Sequence, residues 1–139
     1  MPAFTPAEIA YLQGQRLARL ATVDSAGNPY VVPVGFRYNA DLDTIDIAGT
    51  NLGQSQKFRN VARTGRVALE WDNGQVGQGA SGLQIRGRGT ALSDAAKPFT
   101  APWGAAVADL IRVTPEHITS WGIESPTYTS NSRRVTAEP

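Results

Sequence analysis

The chain is broken at short, regular intervals by turn-forming residues, and that rhythm restricts its fold more than any single motif. Residues 16–23 alternate, stop at Asp24-Ser25-Ala26-Gly27-Asn28-Pro29, and are followed by a second alternating run over residues 30–38. Residues 39–43 turn the chain into a third run over 44–48, and further strands are expected over 66–72, 83–92, 109–114 and 118–123. Six or seven short strands with one or two small helices point to a mainly β chain folded as an antiparallel barrel. A barrel of this size fills its interior with side chains, so a sizeable ligand must sit outside it, in a groove or between subunits.

Two helices interrupt the strands. Phe4-Thr5-Pro6-Ala7-Glu8-Ile9 reads as a helix start, with Thr5 capping, Pro6 in the first position and Glu8 completing a capping box. Phe4 and Ile9 are spaced as a hydrophobic staple, and Gly14 marks the end; this helix is assigned no chemistry. The second helix, within residues 49–63, is expected to bury Phe58, Val61 and Ala62 and to end at Gly65. Val67, Leu69 and Trp71 lie on the apolar side of the next strand. Residues 73–82 carry four glycines without periodicity and read as a loop, and residues 93–104 read as weakly structured. Pro115-Glu116-His117 reads as a turn joining the last two strands, with His117 solvated.

At 139 residues the chain is expected to form one domain, 1–139, with residues 125–139 as a polar C-terminal tail. That tail has too little apolar content to fold alone, so any order in it is expected to come from packing on a dimer, and its removal should cost little stability. The net charge of +1 gives no push toward nucleic acid. With no cysteine and His117 as the only histidine, thiolate chemistry and multi-histidine metal sites are excluded. No apolar run approaches the roughly 18 residues of a membrane span. Met1-Pro2-Ala3-Phe4 does not open a signal peptide, so a cytoplasmic protein is expected.

One stretch invites a chemical reading. Gly49, Thr50, Asn51, Gly53, Ser55 and Gln56 lie between a strand and a helix that carries Lys57 on its first turn. Free N–H groups and the helix dipole favour an anion there, so a phosphate or carboxylate is one candidate; an ordinary turn with a solvated lysine is the other. Pro33 removes a ladder donor from its strand, which is therefore an edge or a bulge. Beside Gly35 that strand leaves room for a flat ligand to approach the main chain, although edge protection alone explains Pro33 equally well. Arg86 and Arg88 share a strand face opposite Ile85, either to hold an acidic group or as a solvated face, and Trp71 and Trp103 read as packing residues.

Leu17-Ala18-Arg19-Leu20-Ala21-Thr22, Gly27-Asn28-Pro29-Tyr30-Val31-Val32-Pro33-Val34-Gly35-Phe36, Ser55-Gln56-Lys57-Phe58-Arg59-Asn60, Arg86-Gly87-Arg88-Gly89 and Ile118-Thr119-Ser120-Trp121-Gly122 follow one another in an order that resembles a known family. It is that of the flavin- and deazaflavin-binding split β-barrel proteins, which includes pyridoxamine 5′-phosphate oxidase, and the likeness is closest to its actinobacterial F420-dependent branch. The resemblance implies a split antiparallel barrel and a homodimer with cofactor sites at the interface. It implies that Thr50, Ser55, Gln56 and Lys57 hold the cofactor phosphate and that the backbone of Val32, Pro33 and Val34 lies beside the tricyclic ring. Arg86 would meet an acidic cofactor tail, and Trp121 or the partner's tail would border the site. Residues 75–82 depart from the Pro/Trp/Arg-rich loop of such proteins and offer no basic contact. No catalytic side chain and no metal ligand is singled out, which suits a reaction carried by a redox cofactor. Three functions follow: an F420-dependent oxidoreductase, preferred; an FMN-binding oxidoreductase of the oxidase type; and a non-catalytic carrier of such a cofactor.

Overall fold

The computed structural model describes residues 2–94, 96–124 and 129–135. Helix α1 (Pro6–Gln13) begins as its residues require: the Glu8 N–H donates to Thr5 Oγ1 at 3.1 Å and the Thr5 N–H donates to Glu8 Oε1 at 2.9 Å. Phe4 is buried and Ile9 packs beside the core, as the staple spacing predicts, and Gly14 closes the helix. None of the described helices is long and apolar enough to cross a membrane.

Strands β1 (Ala18–Val23), β2 (Pro29–Val34), β3 (Arg37–Asn39), β4 (Thr44–Ile47), β5 (Arg66–Asp72), β6 (Gly82–Ser93) and β9 (Asp109–Trp121) hydrogen-bond in the order β2-β1-β5-β6-β9-β4-β3, all antiparallel. Only Gly35 and Phe36 separate β2 from β3, yet these strands stand at opposite ends of that order. The run expected as one strand over residues 30–38 is therefore two, bent so that the sheet curls back on itself. Val34 is buried and Val32, Phe36 and Tyr38 pack against the core, whereas Tyr30 is 39% exposed. Among the described residues β2 has β1 as its single strand partner, so Pro33 sits on an edge strand.

Inside the curl lie Leu20, Ile47, Leu69, Trp71, Ile85 and Ile111, each fully buried. Burial of side chains of this size is worth about 1.5–3 kcal/mol apiece. Trp71 meets Phe36 edge to face at 5.3 Å between centroids, which makes it the packing residue its alternation predicts.

Four further expectations need correction. Residues 109–123 are not a strand pair around a Pro-Glu-His turn: β9 runs unbroken from Asp109 to Trp121. The register with β6 leaves Glu116 unpaired between the pairs Arg86–His117 and Gly87–Pro115, a bulge that carries the strand past the proline, and a Cβ on Gly87 would lie 2.1 Å from the Thr114 carbonyl oxygen. His117 is consequently a half-buried strand residue paired with Arg86, not a solvated turn residue.

The tail is the second. Of its residues, 129–135 are described, and β10 (Ser130–Arg134) pairs with β9 of the same chain, from Ser130 opposite Trp121 to Arg134 opposite His117. Its order therefore needs no partner subunit. Arg133 grips the buried Glu8 with both nitrogens, at 2.8 and 2.6 Å, and the Ala3 carbonyl at 2.6 Å. Residues 125–128 and 136–139 lie outside the described residues.

The third concerns α2 (Gln56–Thr64), which is capped by Ser55 and ends at Gly65 in the left-handed region as expected. Its buried residues are Asn60 and Val61, with Phe58 half-buried and Ala62 exposed. The helix is rolled because Asn60 donates its amide to Thr22 Oγ1 on β1 at 3.0 Å, and this satisfied polar pair occupies the position expected of an apolar one. Finally, the segment read as weakly structured contributes to a small hairpin, β7 (Phe99–Thr100) with β8 (Ala106–Val107).

Candidate functional site

The loop after β4 is tighter than its glycines suggest. It forms a 3-10 turn over Leu52–Gln54, and the N–H groups of Leu52, Gln54 and Ser55 donate to Gly49, Asn51 and Leu52 carbonyls. The Gly53 N–H donates to Asp109 Oδ2 at 3.2 Å, and a Cβ on Gly53 would lie 2.5 Å from that oxygen. Four of the loop's donors are thus consumed within the protein, one of them by a resident carboxylate.

Two of the four side chains expected to hold an anion are also committed. Ser55 Oγ donates to the Leu52 carbonyl at 2.6 Å and accepts from the Phe58 N–H at 3.3 Å, so it serves as the helix cap. Gln56 is used at both ends, donating to Asn60 Oδ1 at 2.7 Å and accepting from Arg59 Nη2 at 2.8 Å. Thr50 is exposed and Lys57 half-buried, and among the described residues neither side chain has a hydrogen bond or ion pair. Lys57 sits in the first turn of α2, whose first N–H groups lack intrahelical acceptors and which holds no acidic residue, and Thr50 lies in the loop that leads to it. An ammonium there opposes the helix dipole unless an anion joins it. These open donors fit a phosphate.

The edge strand supplies the second part. Val31 is 69% exposed and Pro33 is exposed, whereas Val32 and Val34 turn inward. A flat molecule lying along Val32, Pro33 and Val34 would therefore meet main chain and one proline ring. Trp103, read as a packing residue, is 57% exposed and lies against Gly35 at the end of this strand. Trp121 instead lies over Gly82, where a Cβ would come within 2.1 Å of its ring.

Arg86 stands elsewhere on the barrel. The pairing places Ala68, Arg86, His117 and Arg134 in one row across four strands, with Arg66 and Arg88 paired beside it. Ala21, Ala68, Arg66, Arg86, Glu116 and His117 line a groove of about 360 Å³, with neither Thr50 nor Lys57 on its wall. Arg66, Arg86, Arg88 and Arg134 have no ion pair among the described residues, which makes this face attractive to anions. Within one chain the structure does not bring Arg86 and Lys57 into one cavity.

A further cluster was not anticipated. Arg19 Nη1 lies 3.4 Å from Glu70 Oε1 and 3.3 Å from Asp72 Oδ2 on the outer sheet face. Partial burial, then the hydrogen bond to Asp72 and its charge, push Glu70 up to about 7, against the pull of Arg19. The same hydrogen bond holds Asp72 below its ordinary value. The two carboxyls are thus pushed apart, Glu70 upward and Asp72 downward. Strict alternation over 66–72 puts them on one face, but only the register with Arg19 makes them a cluster.

The loop over 73–81 carries no basic residue and is closed by its own Asn73. That side chain donates to the Gly79 carbonyl at 2.8 Å and accepts from the Gln75 and Ser81 N–H groups, each at 3.1 Å. No basic contact to a ligand comes from it.

An antiparallel sheet that curls back on itself around a filled core, with an exposed edge strand and a helix start that keeps unpaired donors, has the architecture of a split barrel. The chain belongs to the pyridoxamine 5′-phosphate oxidase family, whose profile matches residues 4–122. It is 38% identical over 141 residues to the 5a,11a-dehydrotetracycline/5a,11a-dehydrooxytetracycline reductase of Streptomyces rimosus, covering 97% of this chain and 95% of that one. Among solved structures it resembles a pyridoxamine 5′-phosphate oxidase-related, FMN-binding protein of Nostoc punctiforme, with TM-score 0.66, 13% identity and coverage of 99% and 100%. It also resembles a conserved hypothetical protein of Mycobacterium tuberculosis, with TM-score 0.66, 17% identity and coverage of 86% and 85%. At those identities the two structures bear on the fold alone. The family and the Streptomyces relative are both named for oxidoreductases.

Proposed function

We propose that this protein is an F420-dependent oxidoreductase that acts as a homodimer on an electron-poor conjugated small molecule. The observation that carries the reading is Lys57: a cation without an acidic partner among the described residues, on the first turn of α2, at a helix start without acids. In this reading Lys57 and Thr50 hold the cofactor phosphate, and Ser55 joins them only by releasing the Leu52 carbonyl. Gln56 acts through Asn60 and Arg59, holding the helix start in place. The backbone of Val32, Pro33 and Val34 orients the ring, and Arg86 meets an acidic cofactor tail. Since Arg86 and Lys57 do not share a groove within one chain, that last role requires a second subunit. The cofactor supplies hydride transfer when bound; the protein contributes binding, orientation and exclusion of water. The Streptomyces relative is named as a reductase of dehydrotetracyclines, which supports a small-molecule substrate of that kind.

Titrating the purified protein with F420 and with FMN, followed by fluorescence quenching, tests this directly. Tighter binding of F420 is expected. Tighter binding of FMN would move the protein to the oxidase-type alternative, and binding of neither would overturn both. Light scattering at micromolar concentration should give a dimer, and a monomer would remove the shared site.

A further inference from the structure

We propose that the indole of Trp103 is an aromatic wall of the ring slot, stacking on the flat conjugated ring that the preceding reading, on which this rests, lays along Val32, Pro33 and Val34. Trp103 is 57% exposed, yet it is not loosely held. It sits at the tip of the β7–β8 hairpin, where Ala101 is buried with Ala48 and Leu110. The Ala101 N–H donates to the Ala105 carbonyl at 2.6 Å and the Gly104 N–H to the Ala101 carbonyl at 2.9 Å. Ala48 directly precedes Gly49, so the hairpin is rooted beside the loop that leads to Lys57 while its tip reaches Gly35. Trp103 thus joins the two halves of the site.

Gly35 sharpens the geometry. Its φ is not in the left-handed region, so the backbone does not demand glycine. A Cβ there would meet the Trp103 ring at 3.6 Å, an ordinary contact, so packing does not demand glycine either. What the missing side chain leaves is a bare strip of main chain with an indole beside it. Ala18 and Val34 are the last pair of β1 and β2 on this side, and Leu17, just before β1, is 55% exposed. An exposed indole and leucine around bare backbone form an apolar surface suited to a ring with two flat faces.

The test compares wild type, Trp103→Ala and Trp103→Phe by titration with riboflavin, which has the ring without the phosphate, and with FMN and F420. Trp103→Ala should weaken all three by about two- to tenfold, the loss expected for one aromatic pair. Trp103→Phe should restore most of that affinity, and unchanged thermal unfolding of both variants shows that the fold is intact. Lys57→Ala, in contrast, should leave riboflavin binding unaltered. Equal affinities of wild type and Trp103→Ala for every ligand would overturn the wall while leaving the functional reading in place. Failure of the wild type to bind any of the three would overturn both. If Trp103→Ala dissociates a dimer and leaves riboflavin affinity unchanged, the surface is covered by a second copy of the chain and the proposal falls.

Discussion

Helices α1 and α2 both begin on a hydroxyl cap, and the residues around those caps have opposite fates. At α1 the cap Thr5 and the acid Glu8 satisfy each other, and Glu8 is then neutralised by Arg133 from the last strand. At α2 the cap Ser55 is also satisfied internally, but the first turn carries Lys57 and no acid. The dipole at α1 is complemented within the chain, whereas at α2 a cation is added to the positive end. A helix start closed by its own acid is structural. One that keeps an unpaired cation is open to an anion from outside.

The largest effect should come from breaking the closed end. Arg133→Ala leaves Glu8, 1% exposed, buried without its counter-charge. Loss of one partner of such a pair costs roughly 3 kcal/mol, and urea unfolding should show it. This replaces the expectation that the tail contributes little stability. A loss under about 1 kcal/mol would mean that Glu8 finds water instead, and the contrast between the helices would weaken.

Next is the open end. Lys57→Ala removes one charged phosphate contact, worth about 1.5–3 kcal/mol, so affinity for a phosphorylated cofactor should fall roughly tenfold to a hundredfold. Folding stability should change by less than about 0.5 kcal/mol, because the ammonium has no partner to lose. Unaltered affinity would reduce the α2 start to an ordinary turn.

Ser55→Ala separates cap from ligand. It should cost about 1 kcal/mol of stability through the lost cap and change cofactor affinity less than Lys57→Ala does. The reverse pattern, stable protein and weak binding, would make Ser55 a ligand after all.

The smallest effect concerns carboxyls that, unlike Glu8, remain half solvated. Glu70 is raised from 4.5 to about 7, so between those values the folded chain binds its proton more tightly than the unfolded chain. Its contribution to stability is full below pH 4.5 and is lost as pH rises through about 7. Asp72, lowered from 3.8, acts oppositely: its contribution is present above that value and lost as pH falls. Glu70→Gln should flatten the decline of thermal stability with pH between about 4.5 and 7, leaving the acid limb. An unaltered pH profile would show that the Glu70 carboxyl is not raised.

Local rules wrote much of this protein into its sequence. The Thr5–Glu8 box, the Gly65 cap, and the alternation of Val67, Leu69 and Trp71 depend on residues within a few positions of one another. Their geometry follows from helix and strand periods alone. Lys57 on the first turn of α2 was legible for the same reason. What the period could not supply was how a side chain's hydrogen bonds are spent: Ser55 and Gln56 read as ligands, and only the folded turn shows them bonded to Leu52, Asn60 and Arg59. Asn60 likewise became a buried contact because Thr22, 38 positions earlier, faces it.

Pro115 and the tail mark the limit of sequence reading. A proline is tolerated inside a strand at a bulge, and the register with β6 places one beside Pro115, at the unpaired Glu116, where Gly87 leaves room for the Thr114 carbonyl. Residues 130–134 are polar and would not fold alone, but β4 pairs with β9 only over Val113, Arg112 and Ile111 and leaves the rest of that edge open. An unfilled row of backbone donors and acceptors, with Glu8 awaiting a cation, makes a strand of residues that lack the apolar pattern of one. Pattern determined the elements here, and the tertiary structure decided which charges and edges were left unpaired, because pairing depends on neighbours that the linear order does not reveal.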